Sequence, residues 1–147
     1  METVSTLDPW WVTGFCDGEA SFTFSRSSAQ VALYFAVKLI ASDRPVLERL
    51  QDYFRCGKIY RVAPASARAN SGFSKTALLF RVTRHDELPM VTEHFDRYPL
   101  QSQKREAYKI WRGMVDIKRL FRGRNKEALN ELALALSAVQ PRNQSWR

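Results

Sequence analysis

The 147-residue sequence predicts an α+β domain: a four-stranded antiparallel sheet with helices packed on one face. Three observations carry this. Four segments alternate apolar and polar residues at the period of a half-buried strand. Other segments repeat their apolar residues at helical spacing. The two patterns follow one another in the order α-β-β-α-β-β-α-α-α, and the alternation leaves the second face of the strands polar and partly basic.

The elements follow from the N-terminus. Asp8-Pro9 starts a helix, because the Asp side chain caps free amides and Pro suits the first helical position. The helix is expected from Trp10 to about Cys16, with Gly18 just past its end. Ala20 to Arg26 alternates, with Phe22 and Phe24 on one face and Ser21, Thr23 and Ser25 on the other. Ser27-Ser28 makes a turn. Val31 to Leu39 then sends Leu33, Phe35, Val37 and Leu39 inward and Tyr34, Ala36 and Lys38 outward, completing a hairpin. Arg44 to Phe54 carries the stripe Val46, Leu47, Leu50 and Phe54; Ser42 or Asp43 is placed to cap it, and Pro45 suits its first turn.

Gly57 ends the connection to a third strand, Lys58 to Val62. Ala63 to Ser74 is small and polar, hence a loop. Lys75 to Thr83 is the fourth strand, with Thr76, Leu78, Phe80 and Val82 on one face. Leu88, Val91 and Phe95 mark a second core helix, which Tyr98-Pro99 ends. A long helix runs from about Ser102 to Phe121, striped by Tyr108, Ile110, Trp111, Met114 and Val115. Gly123 separates it from a last helix, roughly Lys126 to Val139. No domain boundary appears, so residues 1–147 read as one domain, with a core at about 8–122 and a C-terminal helix at about 126–139.

Composition narrows the function. Hydrophobic residues make up 45% of the chain, so it folds rather than staying disordered. Its 23 basic against 15 acidic residues give +8, which favours a polyanionic partner, nucleic acid before an anionic membrane surface. No apolar run approaches the roughly 18 residues of a membrane span. Met1-Glu2-Thr3-Val4 has no signal-peptide character, so an intracellular protein of bacterial cytoplasm or an organelle is expected. Cys16 and Cys56 are isolated, and His85 and His94 lack metal-ligand spacing; both histidines read as structural or surface residues. A membrane-surface protein would need a basic amphipathic helix with aromatic anchors, and only Trp111 to Phe121 comes near one.

Chemistry concentrates at Asp17 and Glu19, which follow the first helix. A helix C-terminus carries partial negative charge, so acids there are disfavoured by roughly 0.3–1 kcal/mol each. A bound cation removes that penalty. Solvated turn residues are the bland alternative, and the flanks decide against it. Val12-Thr13-Gly14-Phe15-Cys16-Asp17-Gly18-Glu19-Ala20-Ser21-Phe22 resembles the LAGLIDADG motif in its variant LAGFIDGEGSF. Gly14, Phe15, Asp17, Gly18, Glu19, Ser21 and Phe22 match; Thr13 and Ala20 depart from Ala and Gly but stay small. Asp43 to Tyr60, with its Gly-Lys-Ile-Tyr exit, and Phe95 to Arg105 resemble later landmarks, so the likeness spans about residues 8–108.

The resemblance implies a LAGLIDADG homing endonuclease of the single-motif type, whose curved sheet forms a saddle on double-stranded DNA. It implies paired motif helices, with Thr13 and Gly14 small enough for close approach. With one motif per chain, the second acid must come from a homodimer meeting through Trp10, Trp11, Thr13, Gly14 and Asp17. Glu19 is the implied metal ligand, with the Gly18 carbonyl beside it; Asp17 orders the turn or joins the metal. Mg²⁺ suits oxygen ligands and phosphate. The family's active-site Lys aligns best with Gln103, so either Lys104 takes its role or the basic residue is missing. Ala41 occupies the place of the family's Gln after the second strand.

For DNA contacts, alternation puts Thr23, Ser25, Tyr34, Lys38, Lys58, Tyr60, Lys75, Leu79 and Arg81 on the open face, with Arg68 and Asn70 on the loop. No acid falls on that face. Lys118, Arg119, Arg122 and Arg124 form a second basic cluster suited to flanking phosphates. Two other readings share the scaffold: a maturase binding intron RNA, and a non-catalytic DNA-binding regulator, which would have no reason to retain Glu19.

Overall fold

The computed structural model describes residues 6–27, 30–62, 76–121 and 126–140. The elements are α1 (Pro9–Glu19), β1 (Ala20–Ser27), β2 (Gln30–Ile40), a 3-10 turn (Ala41–Asp43), α2 (Arg44–Phe54), β3 (Lys58–Val62), β4 (Ala77–Val82), α3 (Leu88–Arg97), α4 (Lys104–Phe121) and α5 (Lys126–Val139). This is the expected order with one added turn. The expected loop at 63–74 and the start of the fourth strand at Lys75 lie outside the described residues.

All strand pairings are antiparallel, in the order β1-β2-β4-β3, so β2 and β4 are internal. Register follows the pattern of side chains. Phe22 faces Phe35, and Val37 faces Phe80, on the core side. That side is an aromatic cluster: Phe35 lies 5.4 Å from Phe22, 5.3 Å from Phe54 and 5.7 Å from Phe95, ring centre to ring centre. Burying each such ring contributes about 1.5–3 kcal/mol. Trp111 of α4 is fully buried, and its indole N–H donates to the Thr23 carbonyl at 3.0 Å, fixing α4 against β1.

Two expectations about helix ends need correction. The first helix does not stop at Cys16; it continues through Gly18 to Glu19. Ala20 turns directly into extended backbone (φ −86°, ψ 161°) while its N–H still bonds to the Cys16 carbonyl. A left-handed glycine is therefore not needed, and Gly18 does not have positive φ. Asp8 caps α1 as expected, accepting from the Trp10 and Trp11 amides. At α2 neither Ser42 nor Asp43 is a side-chain cap, because the 3-10 turn leads straight into the helix. Gly57 is required where it stands: φ is +88°, and a Cβ there would come within 2.5 Å of the Phe80 ring.

The inner side of α1 is tied to α3 by a buried polar chain. Thr13 Oγ1 donates to the Tyr98 carbonyl at 2.8 Å. Its only hydrogen is thereby engaged, so His94 Nε2, 2.9 Å away, must be the donor between those two. Nδ1 then accepts from the Tyr53 hydroxyl at 2.8 Å. His94 is thus a neutral structural histidine, and burial lowers its pKa to about 4. Cys16 and Cys56 are both buried and free. Among the described residues no helix is long and apolar enough to cross a membrane.

Candidate functional site

The last turn of α1 brings together two carboxylates with opposite surroundings. Asp17 faces inward. It accepts from Gln101 N at 2.9 Å, Ser102 N at 3.0 Å and Ser102 Oγ at 2.7 Å. Ser102 Oγ in turn accepts from Lys104 N at 3.2 Å, so Asp17 sits on the first turn of α4. Partial burial pushes the Asp17 pKa up. The Ser102 side chain, the two amides and the Lys104 charge outweigh this and hold it below its ordinary value. This is the turn-ordering role expected for Asp17. Its oxygens are engaged within the chain, which favours ordering the turn over holding a metal.

Glu19, two residues on, is exposed, and no hydrogen bond or ion pair among the described residues engages it. It lines a cleft of about 650 Å³ with Gly18, Ser21, Thr23, Lys38 and Lys104. Lys104 Nζ donates to the Cys16 carbonyl at 3.1 Å. Burial lowers the Lys104 pKa, opposed in part by the nearby Cys16, Asp17 and Glu19 groups. Geometry distinguishes the surroundings of Lys104 and Gln103. Lys104 reaches back to the end of α1, whereas Gln103 is an exposed residue on the cleft rim. A one-residue change of helical phase turns a side chain by about 100°, which an alignment at a helix start does not resolve.

For a divalent cation, the donors this chain offers are the Glu19 carboxylate and the Gly18 carbonyl beside it. Among the described residues no three His, Cys, Asp or Glu side chains cluster closely enough to hold a metal alone. The donor type fits a hard cation.

The outer side of α1 is unfilled. Trp10 and Trp11 are 52% and 45% exposed, and Trp11 stacks on Phe15 with ring centres 5.0 Å apart. A Cβ added at Gly14 or Gly18 would meet nothing within 4 Å. Thr13, expected beside Gly14 at a helix-helix contact, points the other way, into the His94 chain. Position 13 lies about a quarter turn from 14, enough to move it from one side of the helix to the other.

Residues expected on the open sheet face are on it. Register places Thr23 opposite Tyr34, Lys38 opposite Leu79, Arg81 between Ala36 and Lys58, and Tyr60 opposite Leu79, all on the same side. Ser25 Oγ bonds the Tyr34 hydroxyl at 3.0 Å. No acid lies on this face among the described residues. Arg68, Asn70 and Lys75 lie outside them.

Of the second basic cluster, Lys118 and Arg119 are among the described residues. Lys118 donates to the Val31 carbonyl and so braces β2. Arg119 is exposed as expected. Arg122 and Arg124 lie outside the described residues. Arg112 is held by Asp96 and Asp116. Two features escaped the sequence. The Gln101-Ser102 seat of Asp17 lies more than 80 residues away in the chain, with no local signal. The placing of Arg81 between Tyr34 and Tyr60 depends on strand order.

Comparison with known proteins agrees with this geometry. The sequence model of the LAGLIDADG endonuclease family matches residues 12–115. An uncharacterized 50.9 kDa protein in ND4 intron 1 of Podospora anserina is 33% identical over 121 residues, covering 76% of this chain and 24% of that protein. A probable intron-encoded endonuclease 3 of Neurospora crassa is 30% identical over 111 residues, covering 71% and 19%. Among solved structures, the LAGLIDADG meganuclease I-AabMI bound to uncleaved DNA superposes with a TM-score of 0.73 at 32% identity, over 90% of this chain and 44% of that one. The chain thus spans about a quarter or less of these curated relatives and under half of the meganuclease.

Proposed function

The chain belongs to the LAGLIDADG endonuclease family, and on that premise we propose that it is a site-specific endonuclease of double-stranded DNA, acting as a homodimer with Mg²⁺. The observation that carries this reading is Glu19. It is an unengaged carboxylate beside Lys104, at the end of a cleft that opens onto a sheet face without acids. Folding gives no reason for an acid there, since it faces the unfavourable end of the helix dipole. A phosphodiester laid along the face would bring its charge to that end.

The homodimer follows from what one chain lacks. Helical glycine costs about 1 kcal/mol against alanine, and nothing inside this chain requires it at Gly14 or Gly18. A second α1 packed on that side accounts for both glycines and covers Trp11. It also brings a second Glu19 to the first. The solved meganuclease chain, of which this chain matches less than half, is consistent with two such units.

The residues then divide the labour. Glu19 and the Gly18 carbonyl from each copy would hold the cation, which would supply activation of water and neutralisation of charge on the leaving oxygen. Lys104, fixed by the Cys16 carbonyl, presents a positive charge to the phosphate oxygens as negative charge develops. Asp17 is a positioning residue, locking α1 to α4 so that Lys104 and Glu19 share one cleft. Thr23, Ser25, Lys38 and Lys58 face the DNA grooves and backbone.

A randomised plasmid library incubated with Mg²⁺ tests the reading. The wild type is expected to cut a narrow set of long, near-palindromic sites. Binding of intron RNA with no DNA cut would make it a maturase instead.

A further inference from the structure

We infer that Arg81 reads a guanine, and that Tyr34 and Tyr60 hold it ready to do so. The inference rests on the DNA-binding reading above and assigns part of the sequence preference to one side chain. Arg81 lies on β4, an internal strand, between Ala36 of β2 and Lys58 of β3. Its guanidinium carbon is 4.7 Å from the Tyr34 ring centre and 4.8 Å from that of Tyr60. Those tyrosines stand on the two strands that flank β4, so the cation is held from both sides. The Tyr34 hydroxyl is itself fixed by Ser25 Oγ at 3.0 Å.

What the clamp leaves unsatisfied is informative. Arg81 Nε is shut off from solvent and has no hydrogen-bond partner. No carboxylate among the described residues pairs with the group, although Arg112 has two and Arg44 one. Folding has therefore oriented a planar cation without giving it an acceptor. Two sources of acceptor fit: a phosphate oxygen and a base edge. A phosphate needs only a point charge, which the exposed Lys38 and Lys58 on the same face supply without restraint. Guanine O6 and N7 need a fork of two donors in a fixed plane. Fixing the fork before DNA arrives removes the ordering cost at the moment of binding, and this is what the two rings do. The central position on the sheet agrees, since the middle of a β-surface in the major groove meets base edges while its margins meet the backbone.

The test is a binding selection from a randomised duplex library without divalent cation, so that no cutting occurs. Wild type, Arg81→Lys, Arg81→Ala and Tyr60→Leu are then titrated on the selected target and on its single-base variants. Wild type should prefer guanine at one position per half-site by roughly ten- to a hundredfold. Arg81→Lys keeps the charge and loses the fork, so that preference should vanish while affinity for the substituted target and the salt dependence stay as in wild type. Tyr60→Leu should weaken the same preference without touching other positions. An unchanged preference profile in Arg81→Lys overturns the inference. So does a phosphate-like result, in which Arg81→Ala weakens all targets alike and lowers the salt slope by about one phosphate. If wild type selects no duplex, the DNA reading fails and this inference falls with it; selection with an unchanged Arg81→Lys profile removes this inference alone.

Discussion

The inner and outer sides of α1 are built by opposite rules. On the inner side Val12, Thr13 and Cys16 are buried, Thr13 is hydrogen-bonded, and Asp17 is seated on α4. On the outer side Trp11, Gly14, Gly18 and Glu19 are exposed, and among the described residues nothing lies within 4 Å of a Cβ placed on either glycine. The inner residues answer the demands of a single folded chain. The outer ones fit it poorly: two glycines in a helix, an exposed indole, and an acid at a helix C-terminus. The difference teaches where to look for function, because residues that folding would not choose have another reason to be there.

The largest expected effect comes from breaking the outer side at its acid. Glu19→Gln should lower DNA cleavage by about a thousandfold or more, as losing a cation ligand and its charge should. DNA affinity should be unchanged. Stability should hold or rise by up to about 1 kcal/mol, since a misplaced charge is removed. Single-turnover cleavage beside a thermal melt checks this; full nicking activity in the variant would refute the role of Glu19. Next comes Gly14→Leu. A Cβ at this position meets nothing among the described residues, and in the proposed dimer the leucine would collide with a second α1. Dimer association, read by sedimentation equilibrium, should weaken by about a hundredfold. The monomer should melt no lower, because leucine favours a helix more than glycine does. A variant that dimerises like wild type would place the interface elsewhere.

Legibility in the sequence divides along the same line. Alternation made the strands and both sheet faces readable, since burial on one side imposes period two on each segment separately. The Asp8 cap was readable because its partners are two and three residues away. Contacts set by distant packing were not. Lys118 reads as a surface cation until β2 brings the Val31 carbonyl to it, 87 residues away. Thr13 reads as a small interface residue until α3 brings His94 to it. The end of α1 was misplaced because a glycine after a helix usually marks its stop, whereas here Ala20 makes the turn. Glu19 stood out in the sequence because no local folding role explains it.

On the inner side, His94 gives a smaller effect with its own pH window. The folded pKa is about 4, below the usual value of 6.5. Between those values the unfolded chain binds a proton that the folded chain excludes. Stability from this group is therefore complete above pH 6.5 and is lost as pH falls toward 4, by on the order of 2 kcal/mol. His94→Gln should be less stable at pH 7, through loss of the Tyr53 and Thr13 bonds. Its stability should also be nearly flat between pH 6.5 and 4, where the wild type slopes. Denaturant midpoints across that range decide it; a wild-type slope retained in the variant would assign the effect to another group.

The smallest effect expected is that of Asp17→Asn, and it makes the sharpest contrast with Glu19. The amide keeps one acceptor oxygen but turns an N–H₂ toward the Gln101 and Ser102 donors. Losing part of that charge-assisted seat should cost about 1–2 kcal/mol at pH 7. The sign with pH follows from the lowered carboxyl pKa. The contribution is present above the ordinary carboxylate range and disappears as pH falls through the folded value, below the window of His94. Wild type and variant should therefore converge in strong acid. Because Asp17 anchors the turn from which Lys104 departs, some loss of cleavage should accompany the loss of stability, and lowering the temperature should restore part of it. Glu19→Gln should admit no such rescue, since in the proposed reading it removes a ligand of the cation. If the two variants respond alike to temperature, the inner and outer carboxylates share one role and the division of α1 into a folding side and a working side is wrong.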